Sequence, residues 1–127
     1  MSKAKTIFCD IDGTLLKQFN RGISYQGINS PPILDGTIDK ITDWDSCGYN
    51  IILVTGRRES QRKITEEYLN QVGIVYDQLI MGIGGGDRIL INDRKPNSDR
   101  DTVYAINLTR NEGIKNVKIW LCKRWVG

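Results

Sequence analysis

The sequence predicts an α/β fold, a mostly parallel sheet flanked by helices, in a single domain spanning residues 1–127. Three observations predict it. Apolar runs of strand length alternate with stretches of helical period, and a strand, a helix and a second strand in succession imply a crossover and parallel pairing. The run Ile51-Ile52-Leu53-Val54 is continuously apolar, as a strand covered on both faces should be. Three of the strand-like runs end in polar side chains, at Asp10 and Asp12, at Thr55 and at Asp93. Ligands of open α/β sheets bind beyond the carboxyl ends of the strands.

The first strand is Ile7-Phe8-Cys9, leading into Asp10. From Leu15 to Asp35 periodicity vanishes. Asn20, Arg21, Gly22, Gly27, Asn29, Ser30, Pro31 and Pro32 mark a loop there, with room for a short hairpin near Tyr25. A loop this long in a compact domain is usually functional, and its place just after the acidic pair suits a cover for the site. Ile38, Ile41 and Trp44 recur at helical spacing, with Asp35 or Thr37 as N-cap and Gly48 closing the helix. The strand Tyr49–Thr55 follows, ended by Gly56-Arg57-Arg58. A second helix spans about 59–72, where Ile64, Tyr68 and Val72 form one apolar row beside Leu69 and Gly73 supplies the stop.

A short strand comes next around Gln78–Met81, then the loop Gly82–Asp87. That loop misses the G-x-G-x-x-G pattern, because Asp87 stands where the last glycine should be, and it reads as a plain turn. Arg88–Asn92 and Thr102–Ile106 read as two further strands, joined through the polar stretch Asn97–Arg100. The core on this reading covers about residues 5–112. The tail 113–127 holds Ile119-Trp120-Leu121-Cys122, too apolar to lie free in water, and is expected to pack on the domain or on another subunit.

Composition narrows the chemistry. With 39% hydrophobic and 26% charged residues the chain reads as soluble and globular. Its apolar runs are too short for a transmembrane helix, and the opening Met-Ser-Lys-Ala-Lys lacks the apolar stretch of a signal peptide. A cytoplasmic protein without membrane attachment is expected. Cys9, Cys47 and Cys122 show neither zinc spacing nor a disulfide framework. The sequence contains no histidine, which removes Ser-His-Asp and Cys-His catalysis and His-ligated zinc. Acid–base chemistry falls to carboxylates, Lys, Tyr or Cys. The net charge of +3 is too mild to imply nucleic acid by itself.

Asp10 and Asp12 lie two apart at the end of a strand, so their side chains share one side, and Gly13 lets the backbone turn sharply there. Asp-Gly by itself also suits an ordinary turn. Two carboxylates this close repel by roughly 4 kcal/mol at 4 Å for an effective dielectric near 20. A shared proton or a cation must offset that cost. Mg²⁺ suits the place, since it takes few protein oxygens and fills its shell with water and phosphate.

Cys9-Asp10-Ile11-Asp12-Gly13-Thr14 resembles the first motif of the haloacid dehalogenase-like (HAD-like) superfamily, whose fold is Rossmann-like. Leu53-Val54-Thr55-Gly56-Arg57 resembles its second motif and Ile91-Asn92-Asp93 its fourth. The resemblance runs from about Lys5 to Ile106. It implies a phosphomonoester hydrolase in which Asp10 attacks phosphorus to form an aspartyl phosphate and Asp12 is the general acid and base. It implies Mg²⁺ held by Asp10, the Asp12 carbonyl and Asp93, with Thr55, Gly56 and a basic side chain holding the transferring group. The fourth motif often carries two acids, and here the first is Asn92. The lysine of the third motif has no counterpart at a usable place before Asp93. Lys95, two residues past Asp93, is preferred as its substitute over Arg88.

The stretch between Thr55 and Asp93 is filled by a helix and a strand, so the chain resembles the members without a cap domain. Their open sites take large substrates or are closed by a neighbouring subunit of a homo-oligomer. Arg57, Arg58, Arg62, Arg88, Arg94, Lys95 and Arg100 edge the expected site, and Gly56, Arg57 and Arg88 are the expected substrate contacts. The substrate is then anionic, a sugar phosphate or a phosphorylated nucleic-acid end. Two other classes stay open. A phospho-receiver-like regulatory domain also uses an acidic pair, a Thr and a Lys on a parallel sheet, though Asp12-Gly13-Thr14 disfavours it. A catalytically degenerate HAD-like binding module is favoured by the missing third-motif lysine.

Overall fold

The computed structural model of the chain describes residues 3–19 and 31–119. The middle of the loop predicted over 15–35, with the hairpin near Tyr25, and the residues after 119 lie outside the described residues.

Three strands form one parallel sheet in the order β1-β2-β3, with β1 Thr6–Asp10, β2 Asn50–Val54 and β3 Gln78–Ile80. Helix α1, Thr37–Ser46, makes the first crossover and α2, Arg62–Val72, the second. The α/β expectation is thereby met. Cys9 is level with Leu53 and Asp10 with Val54, so the ends of β1 and β2 lie side by side. Before β3, the main chain of Asp77 donates to the Ile51 carbonyl (2.8 Å) while its carboxylate accepts from the Ile51 N–H (2.7 Å), and this double tie sets where β3 begins.

Gly36, in the left-handed region (φ 85°), is the N-cap of α1 and offers no side-chain cap. Thr37, expected as a possible cap, is buried and its hydroxyl donates to the Leu15 carbonyl at 2.9 Å. Leu15 and Leu16 are fully buried. The ends of the long loop therefore belong to the core, and Leu16 bridges Ile33 in antiparallel fashion. Arg58 precedes a short 3₁₀ turn, Glu59–Gln61, which leads into α2, and Gly73 ends α2 in the left-handed region (φ 86°) as predicted. The buried core gathers Ile11, Leu15, Leu16, Ile41, Ile51, Leu53, Leu69 and Ile74, each at most 2% exposed.

The described part of the tail, up to residue 119, joins this core. Ile114 and Val117 are buried, and the N–H groups of Ile114 and Lys115 both donate to the Asp35 carbonyl (2.9 and 3.1 Å). Cys9 is a buried free thiol, whereas Cys47 is disulfide-bonded, which the cysteine spacing had not suggested.

Two predicted strands require correction. Neither 88–92 nor 102–106 is a strand. Ile89 and Ile91 are 86% and 89% exposed. The two segments are tied to each other by side chains instead of a ladder: Asn92 donates to the Thr102 hydroxyl (3.2 Å), that hydroxyl donates to the Asp93 carbonyl (2.5 Å), and Arg94 pairs with Asp101 (2.8 Å). Apolar patterning reports what a segment could bury, and strand formation needs a partner as well. Among the described residues no strand takes the free edge of β1, and Phe8 there is half exposed.

Candidate functional site

The site forms where β1 and β2 end. Gly13 (φ 92°) turns the chain back, and the N–H groups of Thr14, Leu15 and Leu16 all donate to the Ile11 carbonyl (2.9–3.1 Å). This tight turn leaves Asp10 and Asp12 at the mouth, both half-buried. The Thr14 hydroxyl donates to Asp10 Oδ2 at 3.2 Å. Thr55, fully buried, donates to Asp12 Oδ2 at 3.3 Å and accepts from the Arg57 N–H at 3.1 Å. The structure therefore brings Asp10, Asp12, Thr55 and Arg57 together, as the sequence predicts for the first and second motifs.

Arg57 was expected to face the substrate. Instead its guanidinium grips Asp12, with Nε donating to Oδ2 at 2.9 Å and Nη2 to Oδ1 at 2.7 Å. Its Nη1 donates to the hydroxyl of Thr65, a fully buried residue of α2, at 3.0 Å. Bidentate pairing of this kind fixes a carboxylate in plane and in depth. The sequence places Thr14 in the first motif without assigning it a role, and it does not single out Thr65. Thr14 follows the acidic pair directly and could have been inferred, whereas Thr65 carries no motif signal.

The two carboxylates consequently stand in different electrical surroundings. Asp12 has a guanidinium of its own. Among the described residues Asp10 has none in contact. Burial raises the Asp10 pKa above the ordinary aspartate value, the Thr14 hydroxyl pulls it down, and the neighbouring charge of Asp12 raises it further. Of the described basic residues, Arg88 contributes the field that lowers it. Burial and the Asp10 charge push the Cys9 thiol up to about 12, so it stays protonated and is no nucleophile.

The loop Gly82–Asp87 is more than a plain turn. The Gly82 N–H donates to the Arg57 carbonyl (2.7 Å) and the Ile83 N–H to the Thr55 carbonyl (3.3 Å). The loop folds against Gly56 so closely that a Cβ there would sit 2.9 Å from the Gly84 oxygen. Arg88 is tied to this loop through the carbonyls of Gly84 (3.1 Å) and Gly86. The glycines are thus a backbone-only packing surface, and Arg88 rides on them toward Asp10.

Asp93 and Lys95 are not brought to the site. Asp93 is exposed, and among the described residues no three acidic or cysteine side chains converge as a metal cluster. Lys95 is exposed and its carbonyl closes a turn with the Ser98 N–H (3.2 Å). Both follow from the unpaired state of residues 88–92, which removes the strand that would have carried them. Of Lys95, the preferred substitute, and Arg88, it is Arg88 whose charge acts on Asp10 in this structure. Of the residues expected to hold Mg²⁺, Asp10 and Asp12 stand at the mouth of the site and Asp10 alone would have a carboxylate to offer it. Asp10 is a desolvated carboxylate without its own cation, and Mg²⁺ commonly takes one or two carboxylates and completes its shell with phosphate and water. A surface cavity of about 380 Å³, lined by Asn70, Gly73, Ile74, Val75 and Tyr76, precedes β3 and so lies at the opposite end of the strands from the acidic pair. No helix among the described residues is long and apolar enough to cross a membrane.

Residues 7–94 match the family model described as PITM 1-3, LNS2 domain. The chain is similar to a chain in the structure of a Pnkp1/Rnl/Hen1 complex, at 27% identity and a TM-score of 0.53 over 68% of this chain and 30% of that one. A chain of the Pnkp1/Rnl/Hen1 RNA repair complex matches at 27% identity and a TM-score of 0.52, over 76% of this chain and 28% of that one. A structural-genomics target from Vibrio cholerae shares the fold at 20% identity and a TM-score of 0.52, covering 69% and 79% of the two chains. This chain thus spans less than a third of the RNA repair chains. No curated protein matches it.

Proposed function

The chain belongs to the LNS2 domain family, within the HAD-like superfamily, and from that premise we propose that it hydrolyses phosphomonoesters through Asp10. The observation that carries the reading is the asymmetry of the acidic pair. One carboxylate, Asp12, is locked by Arg57 and Thr55. The other, Asp10, faces Arg88's field, with no guanidinium bound to it among the described residues.

In the first half-reaction an Asp10 oxygen forms a bond to phosphorus as the bond to the departing oxygen breaks, and the proton on Asp12 passes to that oxygen. In the second, Asp12 takes a proton from water while the water oxygen displaces Asp10 from phosphorus, so inorganic phosphate leaves and both aspartates return to their starting state. The geometry supports a particular oxygen for the proton. A carboxylate has about four acceptor positions; among the described residues Oδ2 accepts from Thr55 and Arg57, and Oδ1 accepts from Arg57 Nη2 alone. The open position is on Oδ1. Mg²⁺, when bound, would be held by Asp10 and would neutralise the phosphoryl oxygens. Arg88 supplies the fixed positive charge on the transferring group.

The similarity to chains of an RNA repair complex supports a phosphorylated nucleic-acid end as substrate ahead of a sugar phosphate. The test is turnover of an aryl phosphate with Mg²⁺ present and then with EDTA, beside Asp10→Asn. Activity that needs Mg²⁺ and vanishes in the variant is expected, with a beryllofluoride adduct on Asp10 of the unmutated chain. Wild-type rates in Asp10→Asn would move the nucleophile elsewhere, and unchanged turnover in EDTA would remove the metal. A second reading, a binding module on the same scaffold, is favoured by the position of Asp93 outside the site; it predicts phosphate-ester binding without turnover.

A further inference from the structure

We infer that Thr65 is a positioning residue for the proton-transfer step, acting through Arg57 on Asp12. The inference rests on the phosphatase reading and deepens it. Thr65 belongs to α2 and to none of the phosphatase motifs. It is nevertheless fully buried, with its hydroxyl accepting from Arg57 Nη1 at 3.0 Å. All three nitrogens of one planar group are thereby committed: Nη1 to Thr65, Nε to Asp12 Oδ2, and Nη2 to Asp12 Oδ1. A guanidinium is rigid, so holding its far edge fixes the direction of the two near donors.

Arg57 is only 15% exposed as a side chain, and its main-chain N–H is already held by Thr55. Removing the Thr65 oxygen leaves a buried cationic N–H without a partner, and the group can recover it only by turning toward water. Turning would rotate Nη2 away from Oδ1, the oxygen assigned to the proton. Thr65 therefore sets the angle at which Asp12 meets the departing oxygen, while touching neither substrate nor phosphorus.

The test compares two esters. Thr65→Val keeps the branched shape and removes the oxygen. It should lower kcat about tenfold for an alkyl phosphate, whose departing oxygen needs the proton, with KM nearly unchanged. Dinitrophenyl phosphate, whose leaving group departs as a stable anion, should lose no more than about twofold. Thr65→Ser should restore the alkyl ester to within about twofold. In an Arg57→Lys background Thr65→Val should have no further effect, because the connecting group is gone. Thr65→Ala, which cannot crowd the site, is measured alongside, with the urea midpoint of each variant. Turnover of both esters by the unmutated chain with equal losses in Thr65→Val overturns this inference alone, as does failure of a folded Thr65→Ser to rescue. No turnover of either ester by the unmutated chain overturns the phosphatase reading and the inference with it.

Discussion

Gly56 is the place where a single carbon atom tests whether the glycine loop belongs to the site. In Gly56→Ala the new Cβ would lie 2.9 Å from the Gly84 oxygen and 3.2 Å from its carbonyl carbon, against an ordinary contact of at least 3.4 Å. Backbone must yield by about half an ångström, since no flexible side chain is in the way. The loop is held by two main-chain bonds, from Gly82 to Arg57 and from Ile83 to Thr55, the second already long at 3.3 Å. Their weakening should cost roughly 1 kcal/mol, or about 4 °C in Tm for a domain of this size. Arg88 hangs from the Gly84 and Gly86 carbonyls and moves with them. A 1 Å misplacement can cost about a hundredfold in rate, so half of that implies roughly tenfold in kcat. The assay is steady-state hydrolysis of an aryl phosphate, beside Gly85→Ala, whose Cβ meets open space. Unchanged kcat in Gly56→Ala, or an equal loss in Gly85→Ala, would refute the coupling between loop and site.

Arg88→Ala should lower kcat about a hundredfold, the scale of losing one electrostatic stabiliser, while Lys95→Ala stays within about twofold of wild type; the reverse order would return the role to Lys95. Asp10→Asn should be more stable than wild type at neutral pH without divalent cations. The Asp10 pKa is raised in the folded state, so the folded chain binds the extra proton, and stability falls as pH rises from the ordinary aspartate range through the raised value. The variant, which cannot ionise there, should therefore show a higher urea midpoint at pH 7 and lose that advantage toward pH 3. Gly113→Ala should destabilise by about 3 kcal/mol, combining left-handed strain with displacement of a buried contact, since φ is +87° and its Cβ would lie 2.4 Å from the Asp35 oxygen. Gly48→Ala, with similar φ and open space, should cost only about 1 kcal/mol, and urea melts of the pair isolate the contact.

What the sequence reveals here depends on range. Asp10, Asp12 and Thr55 were legible because each ends a strand, and strand ends in a parallel sheet are brought level by register alone. The Arg57–Asp12 grip was not, because several arginines follow β2 and only side-chain direction selects one of them. Thr65 was invisible for a related reason: a threonine in a helix carries no periodic signal that it faces a guanidinium. The strands expected at 88–92 and 102–106 failed for a different cause. Their β-branched and apolar residues match a buried strand, but composition does not identify which edge a strand pairs with. The expected places of Asp93 and Lys95 depended on the strand at 88–92, and both residues are exposed in the structure.

The stretch from Ile83 to Arg110 is pinned at both ends, by the Ile83 N–H on the Thr55 carbonyl and the Asn111 N–H on the Gly13 carbonyl. In polymer terms it is a closed ring on a finished core, because Ile114 and Val117 beyond it are already buried. The entropy of closing such a ring grows only with the logarithm of its length, about 0.6 kcal/mol per doubling. Residues past Arg88, particularly the exposed turn at 95–98, can therefore lengthen or shorten almost without thermodynamic consequence for the sheet. The core constrains where this segment begins and ends, and leaves its length open to change.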